Sequence, residues 1–253
     1  MPRIALLIEY IGNNFHGSQA QNNQRTVQGD LEQALLIYLR TKTTVIFSGR
    51  TDAGVHASGQ VAHIDVPSNI DLHKFIWAIN GILKNDVALR KVQFVDNSFH
   101  ARYSAIERSY VYRILNARQR SPLLRKTHFF ISAPLDIAKM EVSSQKLIGC
   151  HDFKAFKSSN SDTSTSICTI NSIKLINLHE ECLEVIVKAD HFVYNMMRII
   201  VGSLIEIGLN KLEPATIDKA IINGNRDCLG PTAPAWGLEL QAVKYPPQYN
   251  LFC

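Results

Sequence analysis

The order of strand and helix patterns constrains the fold of this 253-residue chain more than any single motif does. In the first half, segments typical of strands and segments with apolar residues at helical spacing follow one another as β-α-β-β-α-β. Residues 106–253 repeat this order loosely, without close sequence repetition. This is the order of the split β-α-β unit. It predicts an α+β (mixed α/β) protein of two similar lobes, 1–105 and 106–253, with largely antiparallel sheets joined around a central cleft.

The patterns place the individual elements as follows. In the first lobe we expect strands at Arg3–Tyr10, Thr43–Ser48, Gln60–Val66 and Val87–Val95, and helices after Thr26 and over Asp71–Leu83. In the second lobe we expect a strand at Ser109–Leu115, a hairpin of Thr169–Leu178 with Cys182–Asp190, a strand at Leu238–Val243, and helices over Asp136–Leu147, Phe192–Leu209 and Pro214–Asn223. The polar segment Ser158–Ser166 is predicted to be a mobile loop.

Composition and short motifs exclude several classes of protein. Apolar residues make up 46% and charged residues 19%, which is ordinary globular composition. No apolar run is long enough to cross a bilayer, and no signal peptide precedes the first strand pattern. Five scattered cysteines without a CxxC pair predict free thiols in a reducing compartment, and hence a cytoplasmic protein. Since HExxH and phosphate-loop motifs are also missing, we expect neither a metal nor hydrolysis of nucleoside triphosphates.

The positive charge of the chain is concentrated in one strip, residues 102–126. The strip carries seven basic side chains and one acidic side chain, and leaves 20 basic and 21 acidic residues elsewhere. The basic residues are Arg102, Arg108, Arg113, Arg118, Arg120, Arg125 and Lys126, and three tyrosines are interleaved with them. Guanidinium groups and aromatic rings together suit a phosphate backbone with unstacked bases. A charged strand edge that prevents aggregation is the alternative.

A glycine-bounded loop carries the best candidate for covalent chemistry. Residues 49–56 read Gly-Arg-Thr-Asp-Ala-Gly-Val-His and lie between two predicted strands. The carboxylate of Asp52 can act as a nucleophile when it is ionised, and a cation such as Arg50 favours that form. The spacing alone favours a turn in which the carboxylate binds local backbone N–H groups. His56 is either a base or a hydrogen-bonded residue beside the turn.

These residues resemble the signature of the tRNA pseudouridine synthase A (TruA) family. The similarity extends over nearly the whole chain and does not depend on residues 49–57 alone. The other matching segments are Phe15–Gln21, Thr26–Gln28, Leu31–Glu32, Phe99–Ala105, Arg108–Tyr112, Gly149–Phe156, Phe192–Gly202 and Ala233–Leu238. The chain departs from the family near its start, where Tyr-Asp-Gly and Gly-Trp-Gln are usual. Here Tyr10-Ile11-Gly12 and Gly17-Ser18-Gln19 stand instead.

The resemblance implies isomerisation of uridine to pseudouridine at positions 38, 39 and 40 of the tRNA anticodon stem-loop. It implies that no cofactor or metal is needed and that the protein is a homodimer. Asp52 matches the catalytic aspartate of the family, whether it adds to the ribose or promotes elimination. Tyr110 would stack on the flipped base and take the proton from carbon 5. The other residues to which the resemblance gives catalytic or substrate-binding roles are Arg50, Arg198, Arg102, Arg108 and His56.

Two other functions fit the sequence features taken without the family. A protein of two split β-α-β lobes with a basic aromatic strip could simply bind RNA. An aspartate-dependent hydrolase would release a base or phosphate instead of rejoining the base to the sugar.

Overall fold

The computed structural model describes residues 1–158, 165–179 and 181–252. Positions 159–164 of the predicted Ser158–Ser166 loop lie outside the described residues, as do Glu180 and Cys253. The chain divides into two compact units, Arg108–Leu238 and Met1–Glu107 together with the chain from Glu239 onward. These units differ from the predicted lobes at the C-terminus, because the strand that begins near residue 239 pairs within the first unit.

The first unit contains five strands and two α-helices. Its strands are β1 (Arg3–Tyr10), β2 (Ile46–Phe47), β3 (His56–Asp65), β4 (Val87–Val95) and β10 (Leu238–Lys244), and its helices are α1 (Val27–Leu39) and α2 (Leu72–Ile82). The order in the sheet is β4-β1-β3-β10, and β2 pairs with β3. All pairings are antiparallel except that of β3 with β10. Helix α1 begins where it was predicted, because the Thr26 hydroxyl accepts a hydrogen bond from the Gly29 N–H.

The described part of the second unit also combines strands with α-helices. Its strands are β5 (Glu107–Asn116), β6 (Phe129–Ile131), β7 (Gly149–Asp152), β8 (Ile167–His179) and β9 (Cys182–Ala189), and its helices are α3 (Ile137–Gln145), α4 (Met196–Gly208) and α5 (Ala215–Asn223). The order is β5-β9-β8-β7 with antiparallel pairs, and β6 pairs with β5 in parallel. Helix α4 is buried along most of its length. The prediction of an α+β protein with largely antiparallel sheets is confirmed.

The element bounds differ from the predictions at three functionally relevant places. Strand β3 begins at His56, four residues before the predicted start at Gln60, because His56 and Ala57 already pair with β10. The segment predicted as strand Thr43–Ser48 contains only the short β2. The helix predicted from Phe192 begins at Met196, because Asn195 takes a left-handed conformation with φ of 63°. Among the described residues, no helix combines the length and the apolar character that crossing a bilayer requires.

A buried cluster in the first unit fixes the segment that carries Arg102. Phe99 and Ala101 pack against β1, β3 and the C-terminal segment, and the Tyr245 hydroxyl donates to the Ala101 carbonyl at 2.6 Å. On the other side, the Ala101 N–H donates to Nδ1 of buried His63 at 3.1 Å. Burial, reinforced by Arg3 and His100 and opposed by Asp65, lowers the pKa of His63 to about 4. His63 is therefore a neutral acceptor at pH 7.

We predict that His63 makes the first unit less stable below neutral pH. A histidine whose folded pKa is about 4, against about 6.5 when unfolded, binds more protons in the unfolded state over that interval. The free energy of unfolding should therefore fall as the pH is lowered from 7 towards 4. Urea denaturation of the native chain and of His63→Gln checks this, because glutamine keeps an acceptor but does not titrate. An equal pH dependence in both proteins would contradict the prediction.

Candidate active site

The loop from Gly49 to Val55 connects β2 to β3 in the first unit and carries Asp52. Asp52 is partly buried, while the Arg50 side chain is exposed. The Asp52 carbonyl accepts a hydrogen bond from the Val55 N–H at 3.1 Å, and Gly54 has a φ of +83°. The chain thus turns through Ala53 and Gly54, as a left-handed glycine allows. The loop therefore contains a turn, and the hydrogen bond that closes it uses the backbone carbonyl of Asp52.

Ser18 forms hydrogen bonds with both backbone groups of Thr51, the residue before Asp52. The Thr51 N–H donates to the Ser18 hydroxyl at 2.8 Å, and the Ser18 N–H donates to the Thr51 carbonyl at 3.0 Å. Ser18 is fully buried, so these bonds do not compete with water. Gly17 has a φ of +93°, and a Cβ there would lie 2.9 Å from the Thr51 carbonyl oxygen. The close approach of the two segments therefore requires glycine at position 17.

The first turn of α1 fixes this Gly17–Ser18 segment in turn. The Val27 and Gln28 N–H groups donate to the carbonyls of Gly17 and Ser18, at 3.3 and 2.9 Å. The first N–H groups of a helix have no partner within the helix, so they are available for such bonds. A rigid helix end thus positions Ser18, and Ser18 positions Thr51.

Phe15 also supports the loop, because its carbonyl accepts a hydrogen bond from the Gly54 N–H at 3.3 Å. The Arg25 guanidinium lies 4.2 Å from the centre of the Phe15 ring. Arg25 also pairs with Asp30 and Asp86, each at 2.7 Å. These contacts hold the pKa of the Asp86 carboxyl at about 2, well below its usual range. The pairs are consequently intact at neutral pH.

His56 supports the same loop from the start of β3. Its Nδ1 accepts a hydrogen bond from the Gly12 N–H at 3.1 Å, so the neutral ring carries its proton on Nε2. A Cβ at Gly12 would lie 2.0 Å from the Val55 carbonyl oxygen, which explains the glycine. Only 5% of His56 is exposed. The contact with substrate expected for His56 stays a prediction, and its surroundings favour a role in positioning the loop.

A buried polar network underlies the N-terminal half of the loop. The Tyr10 hydroxyl lies 2.7 Å from the Thr51 Oγ1, and burial raises the pKa of Tyr10 to about 12. The Gln60 amide donates to the Gly49 carbonyl at 3.1 Å and accepts from the Ser48 hydroxyl at 2.7 Å. Every one of these groups stays uncharged at neutral pH. The network holds the chain on both sides of Arg50.

Three of the predicted site residues lie around the β9–α4 connection in the second unit. The rings of Tyr110 and Phe192 meet edge to face with centroids 4.9 Å apart. Arg108 donates to the Asp190 carbonyl at 2.7 Å. Tyr110 is partly buried, whereas Tyr112, also on β5, is fully buried. The tyrosine of the core is therefore Tyr112, and Tyr110 keeps accessible ring surface.

Arg198, at the start of α4, is oriented by oxygen atoms of its own unit. Its Nη1 donates to the Asn195 side chain and its Nε to the Ala233 carbonyl, both at 2.7 Å. Both acceptor oxygens are uncharged, so neither contact neutralises the positive charge of the Arg198 guanidinium. An arginine in an apolar stretch needs polar partners, and for Arg198 these include the side-chain amide of Asn195 and the Ala233 carbonyl.

Arg102 and most of the basic strip lie at the surface. The Arg102 guanidinium is 5.8 Å from the ring centre of Tyr103, which is 77% exposed. Arg113 pairs with Glu184 at 3.0 Å. Arg118, Arg120, Arg125 and Lys126 are exposed on the connection from β5 to β6. In the described parts of the chain, no three His, Cys, Asp or Glu side chains are arranged to hold a metal ion.

Sequence reasoning did not identify the residues that support the loop. Tyr10, Gly12 and Ser18 stand out in the sequence only as parts of two departures from a family pattern, and Gln60 only as the first residue of a predicted strand. The partners of Tyr10, Gly12 and Ser18 lie 33 to 44 residues away along the chain.

We predict that Ser18→Ala impairs the activity of the loop more than the fold. The substitution leaves the buried Thr51 N–H without its acceptor, at a cost of about 1–3 kcal/mol in unfolding free energy. Turnover of the RNA substrate should fall at least tenfold while substrate affinity changes little, and Ser18→Thr should restore part of it. Ser68→Ala, at an exposed turn, is the matched control. Equal turnover in Ser18→Ala and the native protein would show that the Ser18–Thr51 bonds are unimportant.

Comparison with known proteins agrees with the family named by the sequence motifs. A family model described as tRNA pseudouridine synthase matches residues 6–104 and 144–246. The chain is 40% identical over 245 residues to tRNA pseudouridine synthase A of Acetivibrio thermocellus, which covers 97% of this chain and 100% of that protein. It is 39% identical over 248 residues to the Lactococcus lactis subsp. lactis protein of the same name, covering 97% and 98%.

A solved structure that aligns with nearly the whole chain is only distantly similar. A chain of the archaeal box H/ACA sRNP Nop10–Cbf5 complex aligns with 96% of this chain and 48% of its own length. The identity is 9% and the TM-score is 0.40, a likeness too weak to support a conclusion.

Proposed function

Because this chain belongs to the tRNA pseudouridine synthase family, we propose that it isomerises uridine at positions 38, 39 and 40 of the tRNA anticodon stem-loop, with Asp52 as the catalytic carboxylate. Enzymes of this family are isomerases that act on uridine in tRNA. The family supplies the reaction. The observation that supports Asp52 is its place, partly accessible, on a loop that is hydrogen-bonded by Ser18, Tyr10 and Phe15.

The reaction requires a group that can stabilise or capture the sugar while the base turns. The bond from N1 of uracil to C1′ of ribose breaks, a bond from C5 to C1′ forms, C5 loses a proton and N1 gains one. Reactant and product have the same composition, so no redox partner, water or cofactor is consumed. An ionised carboxylate can add to the sugar and leave again, or assist the elimination of the base. Asp52 is suited to either path.

Rigidity of the loop matters because the carboxylate must meet one atom of a flipped nucleotide. Extruding a base from a stem costs a few kcal/mol, and a side chain that had to be ordered at the same time would add to that cost. Thr51 and Gly54 are already fixed on either side of Asp52. The backbone at the site is therefore preorganised before RNA binds.

Other residues take supporting roles in this proposal. Tyr110 stacks on the target base through its accessible ring and receives the proton from C5. Arg50 and Arg198 orient the carboxylate and neighbouring phosphates. Arg102 and Arg108 contact the RNA backbone, and His56 acts through the loop. We further propose a homodimer and a cytoplasmic location, as expected for a protein that modifies tRNA.

The rival that the structural features leave open is a protein that binds tRNA without changing it. The match to the family model favours the enzyme over this alternative, because the matched residues 6–104 include Asp52. A hydrolase would have to admit water to the sugar, and its product would be a free base.

We predict that Asp52→Asn abolishes pseudouridine formation and keeps tRNA affinity within a few-fold. Asparagine has nearly the same shape and cannot act as an anionic nucleophile. Turnover is measured as release of the labelled C5 hydrogen from tRNA uridine, and affinity by filter binding at fixed salt. Asp227→Asn, an exposed aspartate of the second unit, should behave like the native protein. If Asp52→Asn loses affinity and turnover together, Asp52 is architectural.

For Tyr110 we expect a different result. Tyr110→Phe keeps the aromatic face and its contact with Phe192 but removes the hydroxyl. If the hydroxyl takes the C5 proton, turnover should fall by about 10²-fold or more, with tRNA affinity nearly unchanged. The matched control is Tyr103→Phe, at a surface tyrosine. Full activity of Tyr110→Phe would reject the proton-transfer role and leave only stacking.

A further inference from the structure

The connection between β5 and β6 forms a groove in the second unit, with a volume of about 490 Å³. Its walls combine aromatic and aliphatic side chains with polar ones at the rim. The lining residues that matter here are Arg120, Arg125, His128, Phe129, Phe130 and Trp236. A volume in this range suits a ligand of the size of a nucleotide.

The backbone around the groove is preformed. Strand β6 pairs in parallel with β5, so that Leu115 and Phe130 are register partners. The Asn116 side chain closes the base of the connection, because its amide donates to the carbonyls of Ile131 and Ala133. Within the connection, the Thr127 and His128 N–H groups both donate to the Leu124 carbonyl. The groove therefore does not have to be built when a ligand binds.

Trp236 forms one wall and is held by the segment that also orients Arg198. The Tyr112 hydroxyl donates to the Pro234 carbonyl at 2.8 Å, and a Cβ at Gly237 would lie 2.6 Å from the Tyr112 ring. The Ala233 carbonyl, three residues before Trp236, accepts from Arg198. Trp236 is 40% exposed and meets Phe129 edge to face at 6.5 Å. A large aromatic face is thus presented on a fixed support.

The charged side chains in the lining of the groove are basic. Arg120 and Arg125 stand at its rim, both exposed, and its lining contains no carboxylate among the described residues. Burial, reinforced by Arg113 and opposed by Glu184, lowers the pKa of His128. Its ring is accordingly neutral at pH 7 and can accept or donate a hydrogen bond. An anionic ligand with an aromatic part matches this combination in both charge and shape.

We propose that this groove binds an unpaired nucleotide of the RNA substrate, separate from the uridine that is isomerised. The base stacks on Trp236, and the flanking phosphates pair with Arg120 and Arg125. Aromatic rings bind any base through its π-face, and arginine binds phosphate through paired N–H groups. This inference rests on the proposed function for the nature of the substrate. It assigns to the basic strip a site for a base in addition to contacts with the backbone.

The test uses Trp236 as its own reporter in the full-length chain. The protein has two tryptophans, Trp77 and Trp236, so Trp77→Phe leaves only the one in the groove. We expect saturating unmodified tRNA to quench Trp236 fluorescence strongly. The matched control is Trp236→Phe, which keeps only Trp77, an 81% exposed residue of α2, and should show little change. Equal responses of the two tryptophans, or none from Trp236, would overturn the proposal.

Affinity provides an independent measurement. Trp236→Ala should weaken tRNA binding about tenfold, the usual effect of losing one stacked base. Arg120→Gln should reduce the quenching of Trp236 at saturation, whereas Lys219→Gln, at an exposed position of α5 outside the groove, should leave it unchanged. Thermal unfolding of each variant identifies any loss of fold. Native tRNA affinity in a folded Trp236→Ala protein would contradict the proposal.

One further outcome would show that the groove is a self-association surface and not a nucleotide site. Another would show whether only this inference is wrong or the proposed function as well. If Trp236→Ala changes the oligomeric state in light scattering while tRNA still fails to quench Trp236, the groove binds a second copy of the chain and the proposal is wrong. If the native protein forms pseudouridine but Trp236 does not respond to tRNA, only this inference fails. Absence of pseudouridine in the native reaction would instead reject the proposed function.

Discussion

The exchange of hydrogen bonds between Thr51 and Ser18 is the contact on which the candidate active site depends. Thr51 uses its N–H, its carbonyl and its hydroxyl in bonds to Ser18 and Tyr10, and it is itself buried. The residue that follows is Asp52. Because the N–H, carbonyl and hydroxyl groups of Thr51 are all hydrogen-bonded, the fold fixes the backbone conformation just before Asp52 in the absence of a ligand. The end of α1 transmits this constraint, because its first N–H groups hold Ser18 in place.

Glycine makes this arrangement sterically possible. Gly12 and Gly17 lie where a Cβ would collide with the carbonyls of Val55 and Thr51. The two segments can thus approach at backbone distance, which brings their N–H and carbonyl groups within bonding range. A loop between strands is normally among the more mobile parts of a protein. Here contacts distant in sequence remove that freedom on both sides of the carboxylate.

The sequence predicted the fold class and the loop, but not what makes the loop rigid. Helix α1 could be placed because its capping residue, Thr26, and its apolar spacing are local features. Strand β3 was predicted to start too late, since His56 and Ala57 owe their conformation to pairing with β10, about 180 residues further along. Ser18 and Tyr10 escaped notice for the same reason. Local patterns indicate where elements lie, whereas a hydrogen bond between distant residues leaves no periodic signal.

The family relationship and the structure contribute different parts of the account. Membership of the tRNA pseudouridine synthase family supplies the reaction and the substrate. The contacts of the described residues supply a physical reason why one aspartate in a short loop could suffice for it. In the second unit, the bonds from Arg198 to Ala233 and from Tyr112 to Pro234 similarly fix the segment before Trp236. Both units thus present their functional side chains on backbone that is tied to the core.

The most direct test of the central claim is to map pseudouridine in unmodified tRNA after incubation with the purified protein and a chelator, with no cofactor added. A preorganised carboxylate acting alone predicts pseudouridine at positions 38, 39 and 40, with the tRNA chain intact and no free uracil. Unchanged tRNA, released base, or a reaction that starts only when a cofactor is supplied would contradict it.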